Sequence, residues 1–193
     1  MPAPNIVTSR LVLRSWRDSD FEPCAKLEAD PRVIEYLPWQ GPSPRELTYR
    51  AIERARSGLA ENQYGWWAVE APNVADFIGG VGLGVHTFES DFTPCMEIGW
   101  RLAYEYWGKG YATEAASAVL AYAFETLHVD EIVSMSNVRN RRSLAVMERI
   151  GLLYERDIQW PLVPADHPLR AYALYKLRRE DWSRSKAALV NKR

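Results

Sequence analysis

The stretch Trp107-Gly-Lys-Gly-Tyr-Ala-Thr113 connects two segments of different periodicity. The segment before it, residues 96–102, is typical of a β-strand, and the apolar run from about residue 112 to 127 predicts a long, mostly buried helix. Glycines between a strand and a helix expose backbone N–H groups where the helix dipole is positive, and this arrangement binds phosphate. The stretch therefore predicts a site for a phosphorylated ligand.

Two nucleotide-binding motifs share glycines with this stretch but need other residues. The dinucleotide fingerprint requires a third glycine at the position of Thr113, and the P-loop requires Ser or Thr where Gly110 follows Lys109. A Gly-x-Gly pair by itself is also common in turns. A second motif is needed to identify the ligand.

The composition indicates an ordinary soluble domain. The chain has 193 residues, 47% hydrophobic and 25% charged, with a formal net charge of −1. This balance argues against bulk electrostatic binding to nucleic acid or to an anionic membrane. No run of apolar residues is long enough to span a bilayer, and the N-terminus lacks the pattern of a signal peptide. We therefore expect a cytoplasmic protein with no nucleic-acid or membrane partner.

Only two cysteines occur, Cys24 and Cys95, which suits a reducing compartment and predicts no disulfide framework. Neither has a histidine at motif distance, so a covalent acyl-cysteine has little support. No spacing of His, Cys and Asp predicts a metal site.

Hydrophobic periodicity and turn residues predict a mixed α/β order with helices on both faces of one sheet. Asp18 is the expected N-cap of the first helix. Residues 31–43 are expected to form a short helix and a loop, and Gly151 is expected to follow the end of the last helix. The predicted strands are 10–14, 64–70, 76–86, 95–102, 131–136, 153–159 and 170–177, and the main helices are 18–29, 44–57, 112–127 and 140–150.

The second motif lies about 30 residues after the glycines, where Asn140-Arg-Arg-Ser143 opens a helix that ends in Glu148-Arg-Ile-Gly-Leu152. Together the two motifs resemble the GNAT superfamily of acetyl-CoA-dependent N-acyltransferases, whose pyrophosphate loop reads Gln/Arg-x-x-Gly-x-Gly/Ala. Trp107 replaces the first residue of that loop. Glu97-Ile-Gly-Trp100 and Thr8-Ser-Arg-Leu-Val-Leu-Arg14 look like the ribosomal-protein-alanine acetyltransferase (RimJ/RimL-like) branch.

The resemblance covers roughly residues 8–182 and implies a single N-acetyltransferase domain over residues 1–193. It implies the single-domain α/β GNAT fold: a mixed, mostly antiparallel sheet flanked by helices, with splayed central strands. Acetyl-CoA would be the co-substrate, without a metal. The implied cofactor-binding residues are Leu102, Trp107, Gly108, Lys109, Gly110, Tyr111, Ala112, Thr113, Asn140 and Ser143.

Within that set the roles differ. Backbone N–H groups of residues 108–113 would wrap the pyrophosphate, and Lys109 would add a screened charge or remain a solvated lysine. The N–H of Leu102 would face the thioester carbonyl as an oxyanion donor. Asn140 would contact the pantetheine arm, and it also suits the N-cap of its helix. Arg139, Arg141 and Arg142 would meet the 3′-phosphate or form a solvated helix start.

The implied catalytic residues are Ser143 and Glu97. Ser143 would protonate the departing thiolate, unless it is a plain first-turn serine. Many superfamily members carry a tyrosine where Met147 stands here, and the spacing predicts that Met147 is buried. Glu97 ranks first as the base that accepts the amine proton, and the alternative is a strand glutamate paired with an arginine.

Other residues are candidates on weaker grounds. Asp166 and His167, in the late proline-rich loop, are outside candidates for the base. An acceptor pocket could use aromatic side chains, although for each of them core packing is favoured over the pocket role: Tyr36, Trp39, Trp66, Trp67 and Trp100.

We therefore expect an enzyme that transfers the acetyl group of acetyl-CoA to a primary amine by direct attack in a ternary complex. The branch favours a protein or peptide α-amine. A polyamine, amino acid or antibiotic is the alternative acceptor, and a non-catalytic acyl-CoA sensor is the alternative of another class. Exposed aromatic residues make a homodimer plausible.

Overall fold

The computed structural model describes residues 3–38 and 44–190, with side chains described as far as residue 184. The strands are β1 Ile6–Val7, β2 Val12–Arg14, β3 Trp66–Ala71, β4 Ala75–His86, β5 Cys95–Leu102, β6 Glu131–Asn137, β7 Leu153–Gln159 and β8 Ala171–Arg178. The helices are α1 Phe21–Ala29, α2 Pro31–Ile34, α3 Arg45–Glu61, α4 Tyr111–Glu125, α5 Arg141–Arg149 and α6 Arg179–Val190, with 3-10 turns at Asp18–Asp20 and Tyr104–Tyr106.

All eight strands belong to one sheet, in the order β1-β2-β3-β4-β5-β6-β8-β7. Every neighbouring pair is antiparallel except β5 and β6, which run parallel. This architecture confirms the predicted mixed, mostly antiparallel sheet. The assignment of residues 1–193 to a single domain, with a core of about 8–182, stays a prediction.

The main core lies between the sheet and helices α4 and α5, on what we call the α4 face. Side chains of α4 with almost no exposure include Ala115, Ala116 and Val119, and Met147 of α5 is likewise buried. The burial of α4 and of Met147 confirms both predictions. Small alanines let α4 approach β4 and β5 closely, and each larger buried side chain contributes roughly 1.5–3 kcal/mol.

Helices α1 and α3 cover the opposite side of the sheet, which we call the α1 face. Their apolar contacts are Cys24 and Leu27 of α1 and Ile52 of α3, against Ala68 and Phe77 of the sheet. These helices cover only the half of the sheet that lies before β6. The rest of the α1 face is covered by the loop of residues 87–94 and by Trp160, which pack near Val133 and Tyr172.

One local prediction, the N-cap at Asp18, differs from the structure. Asp18 does not cap the first helix: it lies in a 3-10 turn, and its carboxylate accepts a hydrogen bond from Arg56. Asp20 occupies the N-cap position of α1, but its side chain makes no cap hydrogen bond to that helix. Its carboxylate instead accepts the N–H of Arg17 at 2.7 Å, before the 3-10 turn, and pairs with the buried Arg14.

The two ends of the chain add elements that the periodicity does not show. Strand β1 has only two residues, too few for a pattern. Helix α6 has no clear apolar stripe, and its described anchor is Trp182, whose ring lies 5.3 Å from that of Phe124. Tertiary packing on α4, rather than sequence periodicity, holds this helix.

Candidate active site

A gap opens between the central strands β5 and β6. Their parallel pairing has one register pair, Glu97 with Val133, and the hydroxyl of Ser134 donates to the carbonyl of Ile98 at 2.9 Å. Beyond Ile98, β5 continues to pair with β4 as far as Leu102, but not with β6. The central strands are therefore splayed, as the family resemblance implied.

The N–H of Leu102 points into this gap. The N–H of the next residue, Ala103, bonds to the carbonyl of Ile78 on the β4 side, and successive N–H groups of a strand point in opposite directions. The carbonyl of Leu102 points into the gap as well and accepts the indole N–H of Trp107 at 2.7 Å. Trp107 thus fixes the end of β5 and leaves the N–H of Leu102 available to a ligand.

The glycine stretch forms the turn that leads into α4. Gly108 and Gly110 have φ angles of +72° and +80°, which residues with a Cβ rarely adopt. Gly110 is the N-cap residue of α4, so no side chain caps this end, and the first bond within the helix runs from Glu114 N–H to the Gly110 carbonyl. The N–H groups of residues 111–113 consequently remain open at the positive end of the helix dipole.

A second segment braces this turn. The Glu114 carboxylate accepts hydrogen bonds from the Thr8 hydroxyl at 2.6 Å, the Ser9 hydroxyl at 3.0 Å and the Arg10 side chain at 2.6 Å. Arg10 also donates to the carbonyl of Lys109 at 2.9 Å. The hydrogen bonds outweigh the effect of burial and lower the pKa of Glu114. Sequence reasoning missed this brace, although Thr8, Ser9 and Arg10 lie within a quoted motif and Glu114 directly follows another.

The asparagine–serine motif lies against the glycine turn. Asn140 accepts the N–H of Ser143 at 3.2 Å, so its predicted N-cap role is confirmed. The Ser143 hydroxyl has no hydrogen-bond partner among the described residues. The guanidinium of Arg142 lies 5.2 Å from the centre of the Trp107 ring, which brings the two motifs together across the chain.

The three arginines around Asn140 separate. Arg142 faces Trp107, whereas Arg139 and Arg141 line a different cleft of about 460 Å³ together with Tyr154 and Tyr175. Lys109 lies near the Tyr106 ring, 5.5 Å from its centre, on the exposed side of the turn. Of these cations, Arg142 and Lys109 are therefore the ones at the glycine turn.

Glu97 lies on β5 at the start of the gap, with its side chain on the α1 face. Its partner is a histidine, not the arginine that the structural alternative predicted: the carboxylate Oε2 lies 2.6 Å from Nε2 of His86. The side chains are 23% and 28% exposed, so both reach solvent. The hydrogen bond to Glu97 raises the pKa of His86 against the opposing effect of burial.

Aromatic rings surround this pair. Phe88 and Trp160 lie 5.5 and 6.0 Å from the His86 ring, and Trp160 stacks on Tyr172 at 5.1 Å. Burial, with a contribution from the Glu97 charge, raises the pKa of Tyr172 to about 12. Sequence reasoning did not single out Trp160, Tyr172 or His86, and no local signal could have identified them, because they come from distant elements.

The aromatic residues that the sequence singled out fall on different sides of the sheet. Trp67 is fully buried and Trp100 packs on the same core of the α4 face. Trp66 lies on the α1 face, next to Gly99. Tyr36 lies close enough to Arg139 and Arg142 for their positive charges to act on its hydroxyl. Trp39 falls outside the described residues. Trp66 and Tyr36 are the ones near the gap.

The remaining candidates show no catalytic arrangement. His167 accepts the N–H of Leu169 within its own turn, and Asp166 is exposed. Burial raises the pKa of Cys24 to about 12 and that of Cys95 to about 11, which keeps both thiols neutral and poorly nucleophilic near pH 7. Within residues 3–38 and 44–190, no group of three His, Cys, Asp or Glu side chains could hold a metal ion.

Comparison with known proteins identifies the family. Residues 10–153 match the family described as acetyltransferase (GNAT) domain. The chain is 31% identical over 157 residues to the uncharacterized protein YkkB of Bacillus subtilis, covering 80% of this chain and 88% of YkkB. It is 25% identical over 188 residues to the [ribosomal protein uS5]-alanine N-acetyltransferase of Escherichia coli, covering 95% of each.

The fold agrees with this assignment. A crystal structure of an acetyltransferase (GNAT family) from Bacillus anthracis superposes with a TM-score of 0.75 at 25% identity, covering 92% of this chain and 99% of that one. The chain belongs to the GNAT acetyltransferase family and is an acetyl-CoA-dependent N-acyltransferase. None of the described helices is long and apolar enough to cross a membrane.

Proposed function

We propose that this enzyme transfers the acetyl group of acetyl-CoA to the α-amine of a peptide or protein in a ternary complex. The observation that carries the proposal is the gap between β5 and β6. An uncapped helix start adjoins it at one end, and the Glu97 carboxylate lies at the other. The length of β5 separates phosphate binding from proton transfer, as the extended shape of acetyl-CoA requires.

The donor would bind along the α4 face. Residues 108–113 would hold the pyrophosphate, because the glycine backbone approaches closely and the N–H groups of the first turn are open. Asn140 and the exposed edge of β5 would bind the pantetheine arm. The N–H of Leu102 would stabilise the oxyanion, since hydrogen bonds of this kind act on the charge that develops in the transition state.

The acceptor would approach from the α1 face. The neutral amine of the acceptor would attack the thioester carbonyl, and the amine proton would pass toward the carboxylate of Glu97. The coenzyme would leave as a thiolate. Ser143, in the first turn of α5, would protonate that thiolate. Because a thiol has an ordinary pKa of about 8.5, the leaving group needs only modest help.

Similarity to an alanine N-acetyltransferase supports a peptide amine as the acceptor. A small-molecule amine is the second candidate, and one feature favours it. The Glu97 carboxylate is partly buried, and the aromatic rings of Phe88 and Trp160 lie beside its partner His86, an apolar surrounding that suits a small amine.

Two measurements test the proposal. Titration calorimetry should show acetyl-CoA binding, and absence of binding at millimolar ligand would exclude the assigned donor site. Thiol release should then be measured with peptides beginning in alanine or serine and with polyamines, amino acids and aminoglycosides. Turnover only with the small amines would reject the peptide acceptor and leave the donor site intact.

A further inference from the structure

His86 joins Glu97 in a pair that two adjacent strands build. His86 ends β4 and Glu97 lies in β5, and the hairpin register sets Gly84 opposite Glu97 and His86 opposite Cys95. His86 and Glu97 are therefore diagonal neighbours on one face of the hairpin, where long side chains can reach each other. A Cβ added to Gly84 would meet no atom within 4 Å, so the space next to Glu97 is open.

We propose that His86 is a second catalytic residue, and that His86 and Glu97 together accept the proton of the acceptor amine. This inference rests on the proposed function. An ionised carboxylate only accepts hydrogen bonds, so the Nε2 proton of a neutral His86 lies toward Glu97. Nδ1 then keeps a free lone pair, and it has no hydrogen-bond partner among the described residues.

The imidazole suits this task better than the carboxylate alone. A general base works best when its pKa lies near the operating pH, and the ordinary pKa values are about 6.5 for histidine and about 4.3 for glutamate. The hydrogen bond that His86 donates to Glu97 raises the pKa of His86 above its ordinary value. Glu97 would thus orient the ring and stabilise the imidazolium.

The other groups around the pair do not compete for this proton. The thiol of Cys95 has its pKa raised to about 11 by burial, and the hydroxyl of Tyr172 has its pKa raised to about 12. The charged side chains farther out on β6, β7, β8 and the 87–94 loop pair with one another: Lys176 with Glu131 and Glu155, and Arg156 with Asp91. Among these groups, His86 is the one whose ordinary pKa, about 6.5, lies near neutrality.

The amine nitrogen uses its lone pair to form the C–N bond, and the thioester carbonyl becomes an oxyanion. An N–H bond of the resulting ammonium breaks, its electron pair stays on nitrogen, and the proton joins Nδ1 of His86, directly or through one water. The oxyanion then re-forms the carbonyl, the C–S bond breaks toward sulfur, and the imidazolium returns its proton to solvent.

The test compares kcat against pH for the wild type, His86→Gln and Glu97→Gln, with saturating acetyl-CoA and the best amine of the thiol-release panel. Glutamine at position 86 keeps a donor toward Glu97 but removes the base. General bases contribute 10²- to 10⁴-fold to the rate, so we expect His86→Gln to lower kcat about 100-fold. The limb of the kcat–pH profile in which kcat rises with pH should also disappear. Glu97→Gln should move that limb to lower pH, because the charge that raises the pKa of His86 is removed.

His128→Asn is the matched control, because His128 is exposed and its φ of +55° suits asparagine. It should leave the profile unchanged, and calorimetry should show wild-type acetyl-CoA affinity for every variant. A His86→Gln enzyme with wild-type kcat and the same limb would overturn the proposal and leave proton transfer to Glu97 or water.

NMR titration of the histidine ring protons tests the pair without an acceptor. The His86 pKa should fall in Glu97→Gln, and an unchanged value would contradict the coupling. Absence of turnover in the wild type with every amine, despite a normal His86 titration, would instead count against the proposed function.

Discussion

The two ends of the gap between β5 and β6 present different chemical groups, backbone N–H groups at one end and side chains at the other. The proposed donor end presents backbone groups: two glycines with positive φ, an uncapped helix start and the N–H of Leu102. The proposed acceptor end presents side chains: Glu97, His86 and the rings of Phe88 and Trp160. Backbone recognition depends on a short continuous stretch, whereas the side-chain site depends on how distant elements pack.

This contrast predicts that substitutions at the donor end act mainly on binding of acetyl-CoA, and those at the acceptor end on turnover or on the amine. The largest effect should come from Gly110→Glu. A carboxylate there would lie in the phosphate path and on strained backbone, and we expect acetyl-CoA affinity to fall by at least about 100-fold, about 2.8 kcal/mol. Calorimetry measures the loss, and circular dichroism checks that the fold survives.

Gly151→Glu is the matched control for this change. Gly151 has a φ of +89° and open space around its Cα, so the variant bears a similar backbone strain away from the glycine turn. It should bind acetyl-CoA normally. Equal affinity of the Gly110 variant and the wild type would contradict the loop assignment.

Ser143→Ala should have the next largest effect, in the chemical step. We expect kcat to fall about tenfold with a nearly unchanged KM for acetyl-CoA, because the thiolate needs only modest acid help. Steady-state thiol release measures both constants. Wild-type turnover would remove the acid role and leave Ser143 as a first-turn serine.

Gly84→Leu probes the acceptor end alone. Its side chain would fill the open space next to Glu97 and should raise KM for the amine about tenfold, about 1.4 kcal/mol, without changing acetyl-CoA affinity. Gly84→Ala is the smaller companion variant, with a correspondingly smaller rise. A weaker acetyl-CoA complex with an unchanged amine KM would place the acceptor elsewhere.

Glu114→Gln should have the smallest effect, on stability. Hydrogen bonds to a charged group contribute roughly 1.5–3 kcal/mol, and glutamine retains some of them, so we expect a loss of about 1 kcal/mol at pH 7. Since the folded pKa of Glu114 is lowered, this stabilisation is present above the unfolded value of about 4.3 and is lost as pH falls through the folded value.

Denaturant unfolding of the wild type and Glu114→Gln at pH 7 and below pH 4 checks this difference. The exposed pair of Glu46 and Arg50 supplies the control, and Glu46→Gln should change stability by a few tenths of a kcal/mol. The free energies of unfolding of Glu114→Gln and the wild type should converge at low pH. If their difference persisted unchanged, the charge of Glu114 would not be the source of the stabilisation.

Local pattern predicted most of the fold. The strands 95–102 and 153–159 have the predicted bounds, Asn140 caps its helix, and Gly151 follows that helix with a positive φ. Each of these features depends on residues a few positions apart. The N-cap prediction at Asp18 was wrong, because a 3-10 turn over Asp18–Asp20 precedes α1 and the carboxylate of Asp18 binds Arg56 of a distant helix.

The sequence by itself determined the glycine turn at the proposed donor end, because a turn into a helix carries its backbone N–H groups wherever the helix packs. Only the tertiary structure decided the partner of Glu97, the rings around it and the brace on Glu114. His86 meets Glu97 through the register of a hairpin, and Thr8 meets Glu114 across 106 residues of chain. Such contacts depend on strand register and on the packing of distant elements, which no local spacing encodes.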